Sequence, residues 1–153
     1  ASSDSRPFSV KEELFRLEDM TQAQYDAWGG LVTVYGDGAV NINTASEPVL
    51  RALGMPESVL SKILTFRSGS DDVAGTADDG VFTDAGTILN TLDTSIALTA
   101  VEKRDFSLLL NQGFFTVGSD VYTMFLTVQY VNKDIMTYRI VLDKKNIKEW
   151  KEQ

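Results

Sequence analysis

The chain has 153 residues, 43% of them hydrophobic, enough for one ordinary core, or a core with a small lobe, without covalent staples. Its 22 acidic and 14 basic side chains leave a net charge of −8, a field that repels phosphate backbones and anionic lipid. The absence of Cys and His excludes disulfides, thiolate zinc sites, a cysteine nucleophile and a Ser-His-Asp triad, though not export from the cytoplasm. No apolar run approaches the roughly 18 to 20 residues of a membrane span, and no basic-then-apolar leader precedes Pro7, so the chain as given reads as soluble.

In chain order, Ser9 to Glu12 forms a capping box ahead of a short helix with Val10, Leu14 and Leu17 on one face. Thr21 to Gln24 repeats that signal for a helix carrying Tyr25 and Trp28, which Gly29 and Gly30 end. Leu31 to Tyr35 is a β-branched run that predicts a short strand, closed by the turn Gly36, Asp37, Gly38. Val40 to Arg67, VNINTASEPVLRALGMPESVLSKILTFR, then reads as two short helices joined by a tight turn. The first starts near Thr44 or Ser46 with Pro48 in its opening turn and buries Val49, Leu50 and Leu53 before Gly54. The second opens at Pro56, repeats Val59, Leu60, Ile63 and Leu64 at helical spacing, and closes on Arg67, favourable to the helix dipole.

From Ser68 the composition becomes Asp- and Gly-rich up to Asp84. A helix from about Asp84 to Leu92 follows, then a capping box at Thr99 to Glu102 whose helix presents Val101, Phe106, Leu109 and Leu110. Past Gly113 the period changes to two. Phe114 to Val117 supplies a strand, and Tyr122, Met124, Leu126, Val128 and Tyr130 alternate with smaller or polar residues. Met136, Tyr138, Ile140 and Leu142 do the same across a turn at Asn132, Lys133 and Asp134, which predicts antiparallel strands with one buried face. Ile147 to Trp150 adds a last strand or packs as a tail. The expected architecture is α+β: a mainly helical region over residues 1–112, containing the acidic loop 68–84, and an antiparallel β-meander over 113–153.

The acidic loop is the candidate site. Asp71, Asp72, Asp78, Asp79 and Asp84, interleaved with Gly75 and Gly80, offer hard oxygens on a kinked backbone, the donor type that calcium takes in sets of roughly 6 to 8. Carbonyls near Val73, Thr76 and Phe82 are further candidates. Without a cation the carboxylates repel one another, so binding would order the loop. The spacing is not that of an EF-hand, magnesium is less suited, and the alternative is a solvated loop whose aspartates form turns and caps. Paired carboxylates can hydrolyse glycosides, but none is grouped here with aromatic platforms, and no phosphate-cradling Gly-Lys element accompanies the aspartates, so no enzyme is expected.

The Val40 to Arg67 unit invites a comparison with DNA-gripping helix-hairpin-helix units, whose Gly-rich turns bring backbone N–H groups to phosphates. Here the turn Leu53 to Glu57 has one glycine, a proline and a glutamate. Only Arg51, Lys62 and Arg67 are basic across the unit, so packing rather than nucleic-acid binding is expected.

Asn41 to Ser46 (NINTAS) followed by Val49 to Leu53 (VLRAL), preceded by Pro7 to Leu14 (PFSVKEEL) and Val32 to Tyr35 (VTVY), resembles the K-class minor pseudopilins of type II secretion systems. The resemblance continues through Lys62 to Arg67 and the terminal strands ending at Trp150. It implies a SAM-like helical region joined to a pilin-type sheet, and a periplasmic subunit at the tip of a short pseudopilus in a hetero-oligomer with other minor pseudopilins. It also implies a parent anchored in the inner membrane by an N-terminal apolar helix, of which this chain is a fragment or shortened relative. Calcium sites recur in pseudopilins, so the resemblance also implies one in the loop from Asp71 to Asp84. The competing resemblance is to competence-type DNA receptors, which share the NINTA entry but carry a Gly-x-Gly hairpin where this chain has Gly54, Met55 and Pro56.

Overall fold

A computed structural model describes residues 8–129 and 135–152. The expected turn at Asn132 to Asp134 lies outside those residues, as do Tyr130 and Pro7. The fold is α+β, and the chain divides into two compact units, Ala1–Val117 and Gly118–Gln153. No helix among the described residues is long and apolar enough to cross a membrane.

The predicted short helix after Ser9 forms as a 3₁₀ helix, Lys11–Arg16. The Ser9 hydroxyl caps nothing; instead the Ser9 N–H donates to the Glu13 carboxylate at 2.5 Å, and Val10 and Leu17 are exposed. Helix α1 (Gln22–Trp28) has the predicted capping box between Thr21 and Gln24, and its Tyr25 stacks on Phe15 with ring centroids 4.7 Å apart. Leu31 to Tyr35 forms no strand. The N–H groups of Leu31 and Val32 turn back to the Trp28 carbonyl at 2.8 and 3.2 Å, and the Tyr35 N–H is taken by the Thr33 hydroxyl, so local bonds consume the donors a ladder would need.

Strand β1 (Val40–Asn41) leads into α2 (Glu47–Ala52) and α3 (Glu57–Arg67). Gly54, at φ 85°, ends α2 in a Schellman motif: its N–H bonds the Arg51 carbonyl at 3.0 Å and the Met55 N–H bonds the Leu50 carbonyl at 3.1 Å. Met55 is buried beneath the turn, while Val49 and Leu53 are only half-buried beside the fully buried Leu50. Asp84 caps the 3₁₀ turn Ala85–Thr87, which runs into α4 (Ile88–Ser95), and α5 (Ala100–Leu110) follows. These helices close a core around Ile42, Leu50, Val59, Leu60, Ile63, Phe82, Leu92 and Phe106.

The face of α5 departs from expectation at its start. Val101 is exposed and Glu102 is buried, because the Glu102 carboxylate accepts the Thr99 N–H at 2.7 Å within the capping box and pairs with Lys62 of α3 at 2.8 Å. Lys62 also donates to the Ala97 carbonyl at 2.9 Å. The Lys62 ammonium, followed by the Thr99 N–H, holds the Glu102 pKa down to about 2 from its usual 4.5. A depressed carboxylate stabilises the fold above its unfolded pKa and loses that contribution as pH falls. We therefore expect the urea midpoint to fall as pH drops from about 4.5 towards 2, with Glu102→Gln lowering the midpoint at pH 7 and flattening that acid limb. An unchanged pH profile in the variant would remove this pair from the account.

Phe114 to Val117 does supply a strand, β2 (Phe115–Thr116), but it joins the first unit. It pairs in parallel with β1, Val40 opposite Phe115 and Asn41 opposite Thr116. The second unit is a three-stranded antiparallel sheet in the order β3 (Val121–Gln129), β4 (Ile135–Asp143), β5 (Ile147–Glu152). The tail from Ile147 is thus a strand. The expected buried face is only partly realised: Ile140 on the central strand is buried, whereas Tyr122, Met124 and Leu126 on the outer strand β3 are exposed. An outer strand has a neighbour on one side only, so its side chains gain cover from one strand instead of two.

Candidate metal site

The acidic loop is fastened to the core at both ends. Upstream it leaves α3, where Arg67 donates to the Ala45 carbonyl at 2.6 Å. Downstream, the Gly80 N–H bonds the Phe66 carbonyl at 2.8 Å, and the Phe82 ring packs against that of Phe66, tilted by 42° with centroids 4.7 Å apart. Asn43 is the bracket between these parts. Its amide NH₂ donates to the carbonyls of Phe82 (2.8 Å) and Val117 (2.9 Å), and its carbonyl accepts the Phe82 N–H at 2.9 Å.

Between these anchors the structure brings Asp71, Asp78 and Asp79 together, one oxygen of each lying within 4.8 Å of the others. Their focus is the Thr76 hydroxyl. Its oxygen lies 3.4 Å from Asp71 Oδ1, 2.8 Å from Asp78 Oδ1, 3.3 Å from Asp79 Oδ1 and 3.1 Å from the Val73 carbonyl. A hydroxyl has one proton and satisfies one of those four acceptors at a time. The other oxygens converge on that single hydroxyl, with Asp71 Oδ1 also met by the Val73 N–H, and this crowding of negative oxygens is the electrostatic condition a hard cation relieves.

Each carboxylate is also aimed from behind. Asp78 Oδ2 receives the Ser70 N–H at 2.7 Å and the Ser70 hydroxyl at 2.6 Å; Asp79 Oδ2 receives the Gly75 N–H at 2.6 Å; Asp71 Oδ1 receives the Val73 N–H at 2.9 Å. The Ser70 hydroxyl, then the Thr76 hydroxyl and the Ser70 N–H, hold the Asp78 carboxyl well below the usual carboxylate range, so it is ionised throughout ordinary pH. Three carboxylates, one hydroxyl and one carbonyl make five oxygens, which fits calcium with its set completed by water better than it fits a magnesium octahedron.

Asp72 and Asp84 stand apart from this cluster. Asp72 has a left-handed backbone, φ 56°, with its carboxylate towards the Ser68 hydroxyl at 3.5 Å. Asp84 accepts the Gly86 N–H at 2.7 Å as a helix cap. Of the candidate carbonyls, Val73 faces the Thr76 focus while Phe82 is held by Asn43. Asn43 and Ser70 are the positioning residues that sequence reasoning passed over. In the sequence Asn43 stands out only as part of the NINTAS element, and a Ser in a polar loop carries no signal by itself. Comparison with protein families, curated proteins and solved structures gave no match for this chain.

Proposed function

We propose that this chain is a non-enzymatic interaction subunit of a type II secretion pseudopilus tip, similar to the K-class minor pseudopilins, working in the extracytoplasmic space with its acidic loop ordered by calcium. The PFSVKEEL and NINTAS elements support the relationship. The observation that carries the interaction role is the apolar face of the sheet. Met124, Ile140 and Trp150 stand in register across its three strands, flanked by Tyr122 and Leu126, and all but Ile140 are exposed. Contiguous apolar surface of this kind marks a site covered by another protein. The other minor pseudopilins are the partners we assign to it.

The hairpin supports packing over a phosphate grip. The Schellman motif uses the Gly54 and Met55 amides internally, and Arg51 is engaged by Glu47 at 2.7 Å and Glu57 at 2.8 Å. Support for calcium comes from the oxygens focused on Thr76. Binding would neutralise three carboxylates on a loop that is tied to the helical core by Asn43 and Gly80, and so would stiffen the unit. At free calcium near 100 times its Kd the gain is about 2.7 kcal/mol.

The experiment is a pull-down of purified minor pseudopilins with this chain, with and without calcium. Capture that strengthens with calcium is expected, and Met124→Glu or Trp150→Glu should abolish it while leaving the calcium response intact. Failure to capture any pseudopilin, or a tight mobility shift with DNA at low salt in the presence of calcium, would sink the reading.

A further inference from the structure

The two outer strands of the sheet are built differently. β5 carries four charges, Lys148, Glu149, Lys151 and Glu152, and a register irregularity against β4 at Val141/Leu142. Charges and bulges are devices that keep a strand edge from accepting another chain. β3 has neither: it is nine residues, VYTMFLTVQ, without charge, proline or glycine, in unbroken register with β4. Among the described residues it pairs on one side only, and Tyr122 to Thr127 are all exposed. Phe125, at its centre, is 65% exposed, the highest value among the exposed large apolar side chains described.

We propose that the free edge of β3 pairs with β3 of a second copy of this chain, antiparallel and centred on Phe125, to form a continuous six-stranded sheet. The charge pattern selects this occupant. A charged strand brought to an uncharged edge loses hydration without gaining a counter-charge. Within Gly118–Gln153, β4 carries Arg139 and Asp143 and β5 carries four charges, and the two-residue strands β1 and β2 pair with each other, which leaves β3 as the matching partner. The field agrees: Gly118–Gln153 holds five acidic and six basic residues, whereas Ala1–Val117 holds seventeen acidic and eight basic, so two copies meet without strong repulsion at the β-units.

The register is self-complementary. Pairing about Phe125 sets Thr123 against the partner's Thr127, Met124 against the partner's Leu126, and Tyr122 against the partner's Val128, with Phe125 facing its own copy. These are hydroxyl, apolar and aromatic pairs of the kinds that stabilise adjacent strands. The contact lies in the plane of the sheet and leaves the apolar face assigned above to pseudopilin partners available.

Sedimentation of the full chain from micromolar to several hundred micromolar tests this, with circular dichroism confirming that variants stay folded. We expect a concentration-dependent dimer. Phe125→Lys, which sets like charges opposite one another, should raise the dimer Kd by about tenfold or more, and Lys151→Ala should leave it unchanged. Because the chain has no Cys, Phe125→Cys gives a second readout. Facing residues across antiparallel strands have Cα atoms about 4.5 to 5.5 Å apart, within disulfide range. Mild oxidation should therefore link Phe125→Cys copies and not Lys151→Cys copies. A monomer over the whole range, cross-linking at Lys151→Cys instead, or capture of β3 by a different protein without self-association overturns the proposal. The pull-down reads the heteromeric contact and sedimentation of the chain alone reads this one, so either can fail without the other.

Discussion

Asn43→Ala lowers the unfolding free energy of the first unit by about 2 to 4 kcal/mol, because it leaves three backbone groups without their partner, each costing about 1 to 3 kcal/mol when buried and less where water reaches it. Those groups are the N–H and C=O of Phe82 and the C=O of Val117, bonded at 2.9, 2.8 and 2.9 Å, with Phe82 in the core. Asn43 is half-buried, which admits some water and keeps the total below the sum of three full penalties. Asn43→Asp retains the acceptor for the Phe82 N–H but loses both donors and points a charge at two carbonyls, so it should be no milder. Urea unfolding measures both. A loss under about 1 kcal/mol for Asn43→Ala would show that the bracket contributes no more than an ordinary hydrogen bond.

Gly80→Ala should cost a comparable amount through crowding. A Cβ built at Gly80 would lie 2.4 Å from the Phe66 carbonyl oxygen and 2.5 Å from two of its ring carbons, closer than real Cβ atoms come. Making room requires stretching the Gly80 N–H to Phe66 bond or shifting the Phe66 ring from Phe82, which is itself fully buried. Overpacking of this kind plus a weakened hydrogen bond costs about 2 to 4 kcal/mol. Gly30→Ala is the control, since nothing lies within 4 Å of a Cβ there; its melting temperature by calorimetry should be nearly unchanged. Equal melting temperatures for the two variants would contradict the close approach.

Most local signals in the sequence were realised, the Ser9 capping box being an exception. The Thr21 and Thr99 capping boxes form as read, α2 has Pro48 in its first turn and stops at Gly54, α3 opens after Pro56 and closes on Arg67, and the period-two segments become strands. Reading failed where a distant partner, or a local bond with no compositional signal, decides. A capping Glu is ordinarily solvated, and Glu102 turns inward only because Lys62, forty residues earlier, meets it. Leu31 to Tyr35 has strand composition, yet its first amides return to the end of α1. Density of aspartate identified the candidate loop but not its focus. Which carboxylates converge depends on the left-handed turn at Asp72 and on donors from Ser70 and Gly75. Asp84 could have been read as a cap, since Asp84, Ala85, Gly86 precedes a helical run.

The calcium loop is the claim that joins the site to the fold, and calorimetric titration of calcium into the intact chain tests it most directly. The account predicts one saturable site that is lost in Asp78→Asn and strongly weakened in Asp71→Asn and Asp79→Asn. Asp72→Asn and Asp84→Asn should bind as the unaltered chain does, and Asn43→Ala more weakly, because the loop's downstream end is released. No heat and no rise in melting temperature at millimolar calcium, or equal loss of binding in all five aspartate variants, would contradict it.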